Sequence, residues 1–149
     1  MTQPQVVLIE DNPGDVLLVQ LALKENNVSC ELTTFENGQE ALKVLCPRSG
    51  VQADSLVPDV ILLDLNTPKS DGFDVLVRLR SAAYLADVQI AILTSSQAAT
   101  DKSRSDVLGA TRYIEKPSQL DAFLSTVGRA VAEMLDERSR RRGLKVPRA

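Results

Sequence analysis

The fold of this chain is decided by one short stretch of sequence, Asp59-Val60-Ile61-Leu62-Leu63-Asp64. Four consecutive apolar residues bounded by aspartates are typical of a strand that is covered on both faces, as in a parallel sheet. Two further stretches have the same form, Val6-Val7-Leu8-Ile9 and Gln89-Ile90-Ala91-Ile92-Leu93-Thr94. The sequence therefore predicts buried parallel strands at these three places.

Weaker strand patterns lie at residues 28–35 and 111–114. In the first, Val28, Cys30 and Leu32 alternate with polar residues, which predicts a strand near the edge of the sheet. Helical patterns separate the strands, at residues 15–25 with Asp15 as the cap, 37–45, 73–80, 98–108 and from residue 118 onwards. Five repeats of strand and helix predict a doubly wound α/β fold, a five-stranded parallel sheet with helices on both faces.

The length and composition suit one ordinary folded domain. The chain has 149 residues, of which 44% are hydrophobic and 25% charged, which excludes disordered and fibrous classes. No apolar stretch approaches the roughly 20 residues that a membrane-spanning helix needs, and the first residues lack the basic region of a secretory signal. We therefore expect a cytoplasmic protein with no membrane partner.

The net charge of −3 is unevenly distributed. Residues 1–137 contain 11 basic and 20 acidic side chains and so carry −9, whereas the last 12 residues carry +6. An acidic body disfavours nucleic-acid phosphates as partners. We expect one folded domain over residues 1–137 and a flexible basic tail over residues 138–149, which either stays solvated or contacts an acidic partner.

The chain has no histidine and only two cysteines, Cys30 and Cys46. Serine–histidine catalysis, an imidazole base, a Cys/His metal site and a phosphohistidine on this chain are therefore excluded. Any chemistry must use carboxylates, hydroxyls, lysine or the backbone. We expect the two thiols to be buried structural residues.

Polar side chains follow the ends of the predicted strands. They are Glu10-Asp11, Asp64, Thr94 and Lys116. In open α/β sheets, the carboxyl ends of the strands meet at the edge where ligands bind. Three carboxylates in one pocket repel one another and need a cation, and an all-oxygen site favours magnesium, with manganese as the alternative.

The same residues suit a phosphoryl group, because magnesium is often held by one or two carboxylates together with phosphate oxygens. Asp64, at the end of the central strand, is the expected nucleophile, and its attack on phosphorus would give an acyl phosphate. Lys116 would neutralise the phosphoryl oxygens, and Thr94 would donate a hydrogen bond. The simpler alternatives are a surface lysine paired with Glu115 and a threonine that merely begins a turn.

The Lys116-Pro117 pair argues against a surface lysine. An X-Pro bond directly after a buried strand is a common place for a cis peptide, which would direct the preceding side chain into a site. We therefore predict a cis bond between Lys116 and Pro117.

These residues, in this order and spacing, resemble the receiver domains of two-component response regulators. The likeness covers residues 6–128 and rests on Glu10-Asp11, residues 64–72, Thr94-Ser95 and Lys116-Pro117. It implies a flavodoxin-like (βα)5 fold with an extended C-terminal helix. It also implies a signalling domain rather than an enzyme, which accepts a phosphoryl group from a sensor histidine kinase and then offers a changed surface to a downstream protein.

The resemblance assigns the metal site and the acceptor. Asp64 would be the phosphoacceptor, and Asp11 and Asp64 would bind magnesium together with the backbone carbonyl of Asn66. Glu10 would act mainly through water. Thr67 stands where the family usually has an apolar residue before Pro68, which affects the packing of that loop alone.

The resemblance also assigns the switch. Thr94 and Tyr113 would be the switch pair, and Lys116 would hold the phosphate. The face made by the fourth helix, fifth strand and fifth helix would change as Tyr113 moves from exposed to buried.

Several features are similar to those of single-domain regulators that serve bacterial and cyanobacterial phytochrome kinases. They are the opening at residues 10–18, the Thr94-Ser95-Ser96 turn, the long connection at residues 47–57 and the extended fifth helix. A phytochrome kinase is therefore one candidate partner.

Other classes fit less well. A dinucleotide site needs glycines in the first turn, where this chain has acids. A magnesium phosphatase of the haloacid dehalogenase type usually has a second acid where this chain has Asn66. Too few residues follow the fifth helix for a DNA-binding output domain, so none is expected. A receiver-like scaffold that acts without phosphorylation remains the non-enzymatic alternative.

The fifth helix carries an apolar stripe that continues beyond the length the sheet needs. Its members are Val127, Val131, Met134 and Leu135. Their spacing of three and four residues places them on one helix face. We predict a homodimer through this stripe.

Overall fold

The computed structural model describes residues 3–47 and 57–143. The strands are β1 Gln5–Ile9, β2 Glu31–Phe35, β3 Val60–Leu63, β4 Gln89–Thr94 and β5 Arg112–Glu115. The helices are α1 Pro13–Glu25, α2 Gly38–Leu45, α3 Gly72–Ser81, α4 Ala99–Val107 and α5 Leu120–Gly143. The five predicted strands and helices are all present, and most of the long connection predicted at residues 47–57 lies outside the described residues.

All neighbouring strands are parallel, in the order β2-β1-β3-β4-β5. This order confirms the doubly wound fold, the edge position of β2 and the central position of β3. Every residue of β3 and β4 is buried, whereas β2 has exposed and half-buried residues. A strand covered on both faces has no polar side, which is why its sequence is continuously apolar.

Each face of the sheet has its own apolar layer. On one face, α1 and α5 pack against alternate residues of the strands, and on the other face α2 and α3 do so. Cys30 packs against the first layer and Cys46 against the second; both are half-buried rather than fully buried, and neither forms a disulfide. Desolvation raises the pKa of both thiols, as befits structural cysteines.

Helix α1 begins two residues earlier than predicted, and Asp15 is not its cap. The Asn12 side chain accepts hydrogen bonds from the backbone N–H groups of Gly14 and Asp15, and Pro13 occupies the first turn. Proline suits this position because its fixed φ is already helical and it has no N–H to satisfy. The Asp15 carboxylate is therefore available for contacts outside the helix.

The apolar stripe of α5 packs within the chain itself. Val127, Val131 and Met134 are fully buried in the layer between α1 and the sheet, and Leu135 packs against the same layer. The prediction that Val127, Val131 and Met134 form a dimer surface is wrong, because α1 and the strands already cover them, whereas Leu135 is half-buried. The stripe is long because α5 extends to the amino edge of the sheet, where Arg138 contacts Asp87 and Asp59.

Helix α5 also continues past the predicted domain boundary at residue 137, to Gly143. Arg138, expected at the start of a flexible tail, donates a hydrogen bond to the Asp87 carbonyl (2.5 Å) and lies 3.5 Å from a carboxylate oxygen of Asp59. This contact fastens the helix to the amino edge of the sheet. Residues 144–149 lie outside the described part of the chain, within which no helix is both long and apolar enough to span a membrane.

Candidate functional site

The carboxyl ends of β1, β3 and β5 bring charged side chains to one edge of the sheet. The register pairs Ile9 with Leu63, so the residues that follow them, Glu10 and Asp64, leave the sheet side by side. Beyond β5, the Lys116 N–H donates to the Thr94 carbonyl (2.7 Å) and continues the ladder by one residue. The structure thus brings together the residues expected to converge there.

Three carboxylates form a cluster at this edge. One oxygen each from Glu10, Asp11 and Asp64 can be chosen so that all three lie within 4.8 Å of one another. Glu10 and Asp64 are buried, whereas Asp11 is exposed to solvent. A set of hard oxygen donors that is open on one side fits a divalent cation that retains water ligands.

The Lys116 ammonium lies against the buried part of this cluster. Its nitrogen is 2.6 Å from Glu10 Oε1, 2.8 Å from Asp15 Oδ2 and 3.1 Å from Asp64 Oδ2. The side chain is only 11% exposed, so it is not a surface lysine paired with Glu115. Its three N–H bonds serve three carboxylates, and one cation therefore neutralises only part of the negative charge present.

Burial and charge shift the pKa values of two of these groups. Burial alone would lower the pKa of Lys116, but hydrogen bonds to Asp15 and Glu10 and the charge of Asp64 outweigh it and raise the pKa above its usual value. Burial raises the pKa of Glu10 to about 7, because desolvation and the nearby Asp64 outweigh the hydrogen bond from Lys116. The cluster therefore resists carrying all of its negative charges at once.

Asp15 was missed as a site residue by the sequence interpretation, which assigned it to capping. Its carboxylate is 26% exposed and contacts Lys116 from the first turn of α1. The sequence contained a signal for this role. Asn12 is a good N-cap and Pro13 suits the first position of a helix, so Asp15 is not needed as the cap.

The two oxygens of Asp64 have different surroundings. Oδ1 accepts a hydrogen bond from the Asn66 N–H (3.0 Å), whereas Oδ2 faces Lys116. The Asn66 side chain is exposed, and its amide donates to the Thr94 hydroxyl oxygen (3.4 Å). Asn66 therefore links the acid on β3 to the threonine on β4.

Thr94 and Tyr113 are connected through the turn after β4. Thr94 is completely buried, and its hydroxyl oxygen accepts a hydrogen bond from the Ser96 N–H (3.3 Å). The Tyr113 hydroxyl donates to the Ser96 carbonyl (2.9 Å). The expectation of an exposed Tyr113 is wrong for this structure, since the ring is half-buried against the apolar layer and its hydroxyl is satisfied.

The loop between β3 and α3 is attached to the start of α2. The Ser70 hydroxyl accepts a hydrogen bond from the Gly38 N–H (3.0 Å), and Asp71 caps α3. A Cβ atom added to Gly38 would lie 2.2 Å from Val75 and 2.7 Å from the Ser70 hydroxyl, so the close approach of α2 requires glycine. In the same loop, Thr67 is buried, and its hydroxyl has no hydrogen-bond partner within the described chain.

The predicted cis bond at Lys116-Pro117 is wrong. The described residues contain no cis peptide bond. The trans form, which is the lower in energy, already allows Lys116 to reach Glu10, Asp15 and Asp64.

Comparison with known proteins gives a consistent result. Residues 6–128 match the family described as the response regulator receiver domain. The chain is 34% identical over 122 residues to response regulator Rcp1 of Synechocystis sp., a match that covers 82% of each protein.

Solved structures show the same likeness. The crystal structure of the phosphorylated cyanobacterial phytochrome response regulator RcpA is similar, with a TM-score of 0.81 and 34% identity over 90% of this chain and 95% of the other. The Mn(2+)-bound form of response regulator Rcp1 has a TM-score of 0.77 and 30% identity, covering 87% of this chain and 92% of that one. The fold is thus shared with one protein described as phosphorylated and with another described as Mn(2+)-bound.

Proposed function

The chain belongs to the response regulator receiver domain family, and from that premise we propose that Asp64 accepts a phosphoryl group from the phosphohistidine of a sensor kinase. The modified domain then signals by the protein surface that it offers. In this proposal the chain is a phosphoacceptor rather than an enzyme with a separate substrate, and it takes part only in its own phosphorylation and dephosphorylation.

The observation that carries the proposal is the position of Asp64 Oδ2. This oxygen lies 3.1 Å from the Lys116 ammonium and belongs to the carboxylate that completes the cluster with Glu10 and Asp11. A nucleophilic oxygen is thus held beside one cation, in an excess of negative charge that calls for a second cation. A structural ion pair would need only one acid for one lysine.

The transfer step requires no base on this chain. An oxygen of Asp64 attacks phosphorus, and the P–N bond to the kinase imidazole breaks as the new P–O bond forms. The electron pair of the broken bond stays on the imidazole nitrogen, and the product is an acyl phosphate. A carboxylate nucleophile suits a protein without histidine.

Charge neutralisation comes from two sources. A divalent ion, which we propose is magnesium with manganese as a substitute, would be held by Glu10, Asp11 and Asp64 with the Asn66 carbonyl as a further ligand, and it would neutralise phosphoryl oxygens. Lys116 binds a phosphoryl oxygen directly. Its reach across the sheet edge to Asp64 supports this role.

Thr94 and Tyr113 form the proposed switch. The Thr94 hydroxyl oxygen now accepts hydrogen bonds from the Ser96 N–H (3.3 Å) and the Asn66 amide (3.4 Å). A phosphoryl oxygen on Asp64 is a charged acceptor to which the hydroxyl can donate its own proton, and by moving towards it Thr94 would leave these two donors. Ser96 then moves, and with it the carbonyl that holds Tyr113. In Thr94→Ala, phosphorylation should therefore no longer change the fluorescence of Tyr113, measured in a Tyr84→Phe background.

The partners follow from the family and its relatives. A sensor histidine kinase supplies the phosphoryl group, and the similarity to RcpA and Rcp1 favours a phytochrome kinase. A downstream protein reads the changed surface, and the cytoplasmic location expected from the sequence is part of the same proposal. A homodimer stays a prediction, although the apolar stripe of α5 no longer supports it. Sedimentation at tens of micromolar would measure whether the chain is a monomer or a dimer.

The test compares the two aspartates that flank β3. Wild type, Asp64→Asn and Asp59→Asn are incubated with a small phosphodonor and magnesium, with folding checked by circular dichroism. We expect wild type and Asp59→Asn to gain an acid-stable, base-labile phosphoryl group by intact mass, and Asp64→Asn to gain none. Labelling of Asp64→Asn at the wild-type rate would overturn the assignment.

A further inference from the structure

We propose that Asp15 is a positioning residue, which holds the Lys116 ammonium over Asp64 when a divalent ion occupies the carboxylate cluster. The inference rests on the proposed function and extends it to a residue outside the metal site. It concerns the geometry of the lysine, not the metal or the nucleophile.

The evidence begins with the donors of Lys116. An ammonium has three N–H bonds, and in this structure Glu10, Asp15 and Asp64 accept one each, at 2.6, 2.8 and 3.1 Å. Glu10 and Asp15 hold the nitrogen in place, and the third N–H bond points to Asp64. Removing either fixed partner leaves a flexible four-carbon side chain with fewer constraints.

The two fixed partners differ in what a metal does to them. Glu10 and Asp64 belong to the carboxylate cluster, so a divalent ion competes with Lys116 for their oxygens. Asp15 is not a member of that cluster. Among the three partners of Lys116, it is therefore the carboxylate that a metal at the cluster would leave to the lysine.

The backbone around Asp15 is suited to holding a side chain still. Asp15 lies in the first turn of α1, which is fixed by the Asn12 cap and by Pro13. Its position is thus set by a helix rather than by a loop. A positioning residue needs such support, because a small displacement of the ammonium weakens its bond to a phosphoryl oxygen.

The sign of the effect separates positioning from simple charge. If Asp15 acted only as a negative charge near an anion, its removal would strengthen binding of a phosphoryl group. If it positions Lys116, its removal weakens that binding. The two accounts predict opposite changes for the same variant.

The experiment measures binding of beryllofluoride, an anionic mimic of a phosphoryl group, by calorimetry at saturating magnesium. In Asp15→Asn we expect the affinity to fall about tenfold, the effect of losing one charge-assisted hydrogen bond at a partly exposed site. Asp15→Glu should recover most of the loss. The matched control is Asp74→Asn, because Asp74 is the first-turn acid of α3 and lies outside the cluster; it should bind as wild type does.

Two further readouts show whether Asp15 acts through the lysine. In a Lys116→Met background, Asp15→Asn should have little additional effect on beryllofluoride, and magnesium affinity should change much less than beryllofluoride affinity. An unchanged or higher beryllofluoride affinity in Asp15→Asn would overturn the proposal, as would an equal loss in the Lys116→Met background. If wild type binds no beryllofluoride and takes no label, the proposed function fails as well, whereas a failure confined to Asp15→Asn leaves it intact.

Discussion

Asp59 and Asp64 lie at opposite ends of β3, and both are more than nine-tenths buried. Asp59 accepts a hydrogen bond from the Gln5 N–H (2.8 Å) and lies beside Arg138 at the amino edge of the sheet. Asp64 shares Lys116 with two other acids at the carboxyl edge. The two residues are similarly buried and flank the same strand, but the charges around them differ.

This difference separates a structural acid from a functional one. At the amino edge, the Arg138 guanidinium faces the Asp59 carboxylate, and this contact connects α5 to the sheet. At the carboxyl edge, one ammonium serves Glu10, Asp15 and Asp64, while Asp11 stands beside them. Balanced charge suits stability, whereas an excess of one sign suits the binding of an ion or a charged group.

The largest expected effect comes from breaking the balanced pair. Asp59→Asn should lower the free energy of unfolding by about 3 kcal/mol, because it leaves the Arg138 side chain, 13% exposed, without its counter-charge. Asp64→Asn should leave the metal-free protein as stable as wild type or more so, since it relieves crowding. Urea unfolding of both variants in a chelator measures this, and equal losses would mean that the two ends of β3 do not differ.

The next effect is a dependence of stability on pH that arises from Glu10 at the carboxyl edge. The pKa of Glu10 is about 7 in the folded chain and 4.5 ordinarily, so between these values the folded state binds more protons than the unfolded state. The free energy of unfolding of the metal-free protein should therefore fall by about 2 kcal/mol as pH rises through that window. Urea midpoints for wild type and Glu10→Gln test this. A slope that persists in Glu10→Gln would assign it to another group.

The smallest effect concerns Asp11, the exposed member of the cluster. Without metal, Asp11→Asn should raise stability by about 0.5 kcal/mol, because water screens an exposed charge. Magnesium should raise the melting temperature of wild type by mass action and that of the variant much less. A clear fall in the metal-free melting temperature of Asp11→Asn would mean that the acids are not crowded.

Most of the fold could be predicted from the sequence, because the buried strands leave a continuous apolar signal. The same signal misled at α5. Val131 and Met134 have a spacing that shows they share a helix face, but spacing does not show what covers that face. Here α1 and the sheet cover that face. The helix is long enough for its Arg138 to contact Asp87 at the amino edge of the sheet.

The convergence of acids and lysine could also be predicted, because parallel strands all end at one edge. The partners of individual side chains could not. Asp15 resembles a helix cap in sequence, and only the structure shows that the first turn of α1 lies within reach of Lys116. The half-buried state of Tyr113 depends likewise on the turn that places the Ser96 carbonyl within reach of its hydroxyl.

The hydrogen bond from the Gly38 N–H to the Ser70 hydroxyl can report on the opening of the β3–α3 loop. The Gly38 N–H is held by a side chain of the β3–α3 loop rather than by its own helix. Opening of that loop, even briefly, exposes this amide to water while the later turns of α2 stay closed. The hydrogen–deuterium exchange rate of one backbone position thus records how often the loop beside Asp64 opens. The contact with Val75 requires glycine at this position, so the same close packing of α2 against α3 holds the amide beside Ser70.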